Sequence, residues 1–173
     1  AAFVMERGTE SIWYNPAGLA RMPHAEFGID HFSSFQLESA DALSLAFPVK
    51  AVGTFGVAAR LFNYGTAPAT DSGTGQEVGV SSYRSYVIGG SFAASFGRRL
   101  DAGVSFRVYQ LSSPCSGICT RVVSVASSTA TVDAGVQYHA GADSALDVGL
   151  VLSNIGPNLQ VHDKPQADGL PAR

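Results

Sequence analysis

From Pro23 to Ser153 one pattern governs the chain: apolar and polar residues alternate with a period of two, in runs broken by turns. That period belongs to extended strands with two unlike faces. Seven runs carry it. Ala25, Phe27 and Ile29 alternate with Glu26, Gly28 and Asp30. Leu43, Leu45 and Phe47 alternate with Ala42, Ser44 and Ala46. Phe55, Val57, Ala59 and Leu61 oppose Thr54, Gly56, Ala58 and Arg60. Further on, Tyr86, Ile88, Phe92, Ala94 and Phe96 oppose Ser85, Gly89, Ser91 and Ser95. Ala102, Val104, Phe106 and Val108 oppose Asp101, Gly103, Ser105 and Arg107. Residues 121–138 read as one long strand, with Val132, Ala134, Val136 and Tyr138 opposing Thr131, Asp133, Gly135 and Gln137. Leu146, Val148, Leu150 and Leu152 oppose Asp147, Gly149 and Ser153. Gly89-Gly90 falls inside an apolar run and reads as a strand kink.

The connections alternate short and long. Residues 48–53 make a tight turn, 65–82 a long polar loop, 97–101 a short turn, 111–120 a second long loop, and 139–144 a short one. Transmembrane barrels have this rhythm, with brief turns at one rim and longer loops at the other. No apolar run approaches the ~20 residues of a membrane-spanning helix, so a membrane protein of this sequence has to be a barrel. A soluble β-sandwich alternates in the same way. Its outward face needs charged residues, yet only 14% of this chain is charged, against about 25% in soluble domains. The polar face is built instead of Gly, Ser and Ala, with Lys50 and Lys164 the chain's lysines. The barrel is therefore the better reading, with Glu26, Asp30, Arg60, Arg107, Asp133 and Asp147 facing its lumen. A formal charge of −3 argues against a nucleic-acid partner.

Residues 1–22 do not alternate. Asn15-Pro16 suits a helix start, with Asn as cap and Pro in the first helical position, so a short helix or turn is expected over Pro16–Arg21. This segment reads as a plug and residues 23–173 as barrel wall. The opening AAFVMERGTES has neither the basic nor the long apolar part of a secretory leader. Either a leader has been removed or the chain is part of a longer protein.

Ala2–Ala20, AFVMERGTESIWYNPAGLA, resembles the N-terminal segment of FadL-like and PorV/PorQ-like outer-membrane β-barrel proteins. In those families an "AF-V" stretch leads to an acidic patch, an aromatic residue, one further residue and NPAGLA. Trp13, Asn15, Pro16, Ala17, Gly18 and Leu19 match position by position. Thr131–Val161 resembles a strand–turn–strand repeat of the PorV type that closes on "N-hydrophobic-Gly-Pro", and Gly169–Arg173 resembles the opening of the next strand there. The glycine-rich stretch that precedes "AF-V" in those families is missing. The resemblance implies a barrel of around fourteen strands, of which seven would be the first half. It implies the outer membrane of a Gram-negative-type bacterium as location. It also implies a plug or gate formed by Trp13, Tyr14, Asn15, Pro16, Ala17, Gly18 and Leu19.

An open half-barrel exposes two strand edges and a lipid face. The expected partners are therefore outer-membrane lipid and a further protein element: the missing barrel half, another copy or another chain. With wall on one side only, Trp13 and Leu19 are expected to be exposed, or covered by something outside this sequence.

No nucleophile elbow, Walker loop, metal-ligand helix or dinucleotide fingerprint occurs, so neither an enzyme nor a cofactor is expected. The lumenal charges either form an ion-pair ladder that satisfies itself or serve as a substrate relay. Glu6 and Glu10 are placed to pair with Arg7 or Arg21. Cys115 and Cys119, spaced C-x3-C, suit a loop disulfide in an oxidising compartment. Zinc would need two more ligands, and His24, His31, His139 and His162 are scattered. Two functions fit. One is passage of a hydrophobic or small organic solute, gated by the plug. The other is an interaction role, as the outer-membrane partner or anchor of a secretion or cell-surface complex.

Overall fold

A computed structural model describes residues 2–34, 38–71, 73–117, 125–140, 146–161 and 164–165. The fold is all-β and antiparallel. Strands β1 (Glu26–Ser33), β2 (Ser39–Val49), β3 (Gly53–Thr70), β4 (Glu77–Phe96), β5 (Leu100–Ser113), β7 (Val125–His139) and β8 (Asp147–Ile155) pair in a meander. A short strand, β6 (Cys115–Gly117), pairs with the start of β4 and completes an eight-stranded sheet. Among the described residues β1 pairs only with β2 and β8 only with β7, so the sheet is open.

Each strand presents alternate side chains to opposite faces, and the two faces separate by polarity. Phe27, Ile29, Leu45, Val57, Ile88, Phe106 and Leu150 stand on the outer face and are exposed, Ile88 and Leu150 by 65% and 63%. Ser44, Thr54, Ser91, Asp101, Arg107, Asp133 and Gln137 stand on the inner face and are buried. This inverts the arrangement of a soluble domain.

The apolar band has edges. At the short-turn end, Phe96, Leu100, Tyr138 and Val148 lie side by side across four strands. At the other end Tyr86, Gln110 and Ser128 form a row, and Arg84 lies beyond it. On β1 and β2 the band stops at a His31–Asp41 pair, 2.6 Å apart. Along β5 the outward residues run from Leu100 to Val108, eight residue rises or about 27 Å.

Two expected loops are strand instead. Most of 65–82 belongs to β3 and β4, which run to Thr70 and start again at Glu77. The alternation hides there because the pairing slips between Asn63 and Thr66. Upstream of the slip the buried positions of β3 are Thr54, Gly56 and Ala58; downstream it is Ala69, of opposite parity. Asp71 closes the remaining turn, its carboxylate accepting from the backbone N–H of Gly73 (2.8 Å) and Thr74 (2.9 Å). Within 111–120, β5 continues to Ser113, and Cys115–Gly117 pair with Gly79–Ser81. Cys119, and with it the Cys115–Cys119 pairing, lies outside the described residues, as do 121–124 of the expected long strand, His162 and the motif Gly169–Arg173.

The segment read as a plug folds as one α-helical turn, Ser11–Tyr14, followed by a 3-10 turn, Pro16–Leu19. Asn15 joins them in extended conformation, and its side chain accepts from Ala17 N–H (3.1 Å) with Pro16 first in the turn. The cap was expected; the helical turn before it was not. Ile12, Trp13 and Leu19 pack against Ala46, Ala58, Val87, Ala93 and Tyr109 of the inner face. The expectation that Trp13 and Leu19 are exposed, or covered by something outside this sequence, is thus wrong: Trp13 is 1% exposed and Leu19 0%, and this chain's own residues cover them. Small inner residues let this chain's own sheet close over them.

Candidate functional site: the seam between plug and wall

The seam starts from space. Gly103 of β5 and Gly135 of β7 are direct neighbours across the sheet, and the plug lies on both. A Cβ on Gly103 would meet Ala17 N at 2.6 Å, and one on Gly135 would run into Asn15 Oδ1. Gly56 on β3 and Gly149 on β8 continue the stripe against Ile12 (2.9 Å) and Val4 (2.7 Å). Gly103 lets plug backbone approach the strand closely, and the other three leave room for plug side chains. Asn15 seals the contact, its Nδ2 donating to Val4 C=O (2.8 Å) and Val136 C=O (3.3 Å). Gln137 Nε2 donates to Val4 and Glu6 C=O (3.0 and 3.2 Å).

Above the glycines sits a cationic cage. Arg60 stacks on the Trp13 ring, 4.1 Å from its centroid, and Arg107 lies 5.8 Å from it; both distances suit cation–π attraction. Arg107 Nη2 also donates to Ile12 C=O at 2.6 Å and pairs with Asp133 Oδ2 at 2.6 Å. Asp133 Oδ1 in turn accepts from Asn154 N–H (2.7 Å).

Below the glycines a chain of charges runs from plug to wall and back. Arg21 Nε donates to Asp101 (2.6 Å), His139 bridges Asp101 (2.9 Å) and Asp147 (3.0 Å), and Asp147 faces Arg7 (3.5 Å). Nearby, Thr9 donates to Glu26 through N–H (3.0 Å) and Oγ1 (2.8 Å). A cavity of about 350 Å³ opens here, with Arg7, Arg21, Glu26, Asp101 and Gln137 among its lining residues beside Met22 and Pro23.

Of the six charges expected on the inner face, five meet the plug directly and Asp133 reaches it through Arg107, but they do not form one ladder. Arg107 and Asp133 pair. Arg60 serves Trp13, Glu26 serves Thr9, Asp147 serves His139 and Arg7, and Asp30 stands beside Glu10. Burial, followed by repulsion from Asp30, raises the Glu10 carboxyl above its ordinary value. The expected pairing of Glu6 or Glu10 with Arg7 or Arg21 is replaced by Arg7–Asp147 and Arg21–Asp101. His139 and the glycine stripe were not anticipated as site residues. His139 follows the last alternating residue and was read as turn, whereas the glycines had only their inward parity to mark them.

Chemically the seam is a clamp, with charged and amide side chains of the wall holding plug backbone. Among the described residues no cluster of His, Cys, Asp and Glu has the geometry to hold a metal ion, and no helix is long and apolar enough to cross a membrane, which says nothing of a β-barrel. Comparison with known proteins finds no matching family model, no matching curated protein and no matching solved structure.

Proposed function

We propose that this chain is wall and plug of an outer-membrane β-barrel of the FadL/PorV-like type, and that the barrel passes hydrophobic or small organic solutes under control of the plug. One observation carries the membrane reading: an exposed apolar outer face over a buried charged inner face. Leaving that many large apolar side chains in water is costly, whereas a bilayer rewards it. The band on β5, Leu100 to Val108, covers nine residues, within the ~9–11 residues of a tilted transmembrane strand. Phe96 and Tyr138 at one edge and Tyr86 at the other match the aromatic girdles. The open edges at β1 and β8 call for a further strand-bearing element, because a membrane leaves no backbone edge unpaired.

The gating part rests on the seam. Ser95 Oγ donates to Ala20 C=O at 3.4 Å, which brings plug and wall within tethering range. Full-length protein in liposomes should import a labelled hydrophobic solute faster than protein-free liposomes. Ala20→Cys with Ser95→Cys, oxidised, should block that import, and reduction should restore it. Import by the oxidised form at the untethered rate would exclude the plug as gate.

The second reading, a partner or anchor of a secretion or cell-surface complex, is favoured by the long β3–β4 hairpin. Beyond the apolar band it joins β6 in a three-stranded ribbon with Tyr64, Val80 and Tyr83 exposed. Absence of import, with photo-crosslinks from Tyr83 to another chain in intact membranes, would favour it.

A further inference from the structure

The outer face holds a cavity of about 390 Å³ across β4, β5, β7 and β8, within the roughly 300–1,000 Å³ of ligand-sized sites. Its floor is low because the outward residues there are small. Ala94 and Ala102 are neighbours across β4 and β5, and Ala134 lies one strand on. Phe92, Phe96 and Leu152 stand around it as walls. The lining is apolar throughout.

Phe96 lines the slot, and the β4–β5 hairpin closes beyond it, from Phe96 to Leu100, through Gly97, Arg98 and Arg99. Both arginines are exposed, and among the described residues neither side chain has a hydrogen bond or ion pair. The turn itself is held: His139 N–H donates to Arg99 C=O (2.8 Å), Arg21 reaches Gly97 C=O (3.5 Å), and Gly97 takes φ 70°. The nearest carboxylate of the hairpin, Asp101, points inward and is occupied by Arg21 and His139. Two guanidinium groups without partners among the described residues therefore belong to the turn that follows Phe96, a lining residue of the slot, at the edge of the apolar band.

That combination is complementary to a molecule with an acyl chain and a phosphate at one end. We propose that the slot binds an anionic phospholipid, with the acyl chain over Ala94, Ala102 and Ala134 and the phosphate on Arg98 and Arg99. Arginine suits the role because its planar fork meets phosphate oxygens two at a time. The inference rests on the membrane reading above, since only a bilayer presents lipid side-on to this face.

The test places full-length protein in vesicles of mixed phosphatidylglycerol and phosphatidylcholine, extracts it in mild detergent, and counts retained lipids by native mass spectrometry. Wild-type protein should retain phosphatidylglycerol over phosphatidylcholine. R98Q with R99Q should lower that preference roughly thirtyfold, at about a factor of five per lost charge. R98E with R99E, which reverses both charges, should lower it further where the variant still inserts. Ala102→Leu, which fills the slot from outside, should reduce retention of both lipids. Failure to enter vesicles would overturn the membrane reading and this inference together. Entry with equal retention of the two lipids, or a preference unchanged in the arginine variants, would overturn this inference alone.

Discussion

Arg107 and Asp133 pair at 2.6 Å with their side chains 1% and 0% exposed, and the same guanidinium holds the carbonyl of Ile12 in the plug. A buried pair is weak evidence of net stabilisation, but breaking one strands a charge in a medium that cannot solvate it. Asp133→Asn should therefore destabilise the fold by about 3–5 kcal/mol. Arg7→Gln, which removes an exposed partner of Asp147, should cost under about 1 kcal/mol. Denaturant unfolding followed by fluorescence of Trp13, the tryptophan over which Arg107 lies, measures both. Similar costs for the two variants would contradict the clamp.

The glycine stripe makes a sharper demand. At Gly135 an added methyl group collides with Asn15 Oδ1, which is itself committed to Ala17 N–H. Gly135→Ala should lift the plug and cost about 1–3 kcal/mol, the usual range for overpacking. Acrylamide should then quench Trp13 more strongly. Gly97→Ala makes a useful contrast: nothing lies near its Cβ, but φ is 70°, so the turn should be strained while Trp13 quenching stays as it was.

The period-two alternation was enough to show seven long strands, their antiparallel meander and which side chains share a face. It placed Arg107 and Asp133 together on the inner face. It did not make them partners, because that depends on register: Ser105 lies opposite Asp133 and Arg107 opposite Thr131, so the pair is diagonal. The alternation also failed where the chain shifts phase. The slip after Asn63 turned the outer halves of β3 and β4 into apparent loop, and three-residue β6 is too short to show a period at all. Burial of the plug was hidden for another reason. Gly56, Ala58, Gly103 and Gly135 look in sequence like the lining of an open lumen, but their small volume is what lets the sheet wrap Trp13.

Asn15 carries two tasks that one substitution removes together. Its Oδ1 caps the 3-10 turn and its Nδ2 bonds the carbonyls of Val4 and Val136. Loss of the cap alone costs ~1 kcal/mol, and leaving buried carbonyls unpaired adds roughly 1–3 kcal/mol. Asn15→Ala should approach the sum. Asn15→Ser keeps a neutral capping oxygen but not the amide donor, so it should recover much of the cap and still lose the carbonyl bonds. Unfolding midpoints that fall in the order wild type, Asn15→Ser, Asn15→Ala would support this division; equal midpoints for the two variants would refute it.

Glu10 should make stability fall as pH rises. Burial and then Asp30 hold its folded-state carboxyl above the ordinary value of 4.5, so between the two values the folded chain binds more protons than the unfolded one. Stability then decreases with pH across that window. Below 4.5 the carboxyl is protonated in both states and imposes no penalty; above the raised folded value the full penalty applies. Glu10→Gln removes the ionisation and leaves most of the shape. The midpoint difference between Glu10→Gln and wild type should grow in favour of the variant as pH is raised above 4.5 and level off only above the raised folded value. A difference that is constant with pH would show that Glu10 ionises equally easily folded and unfolded, and that Asp30 does not oppose it.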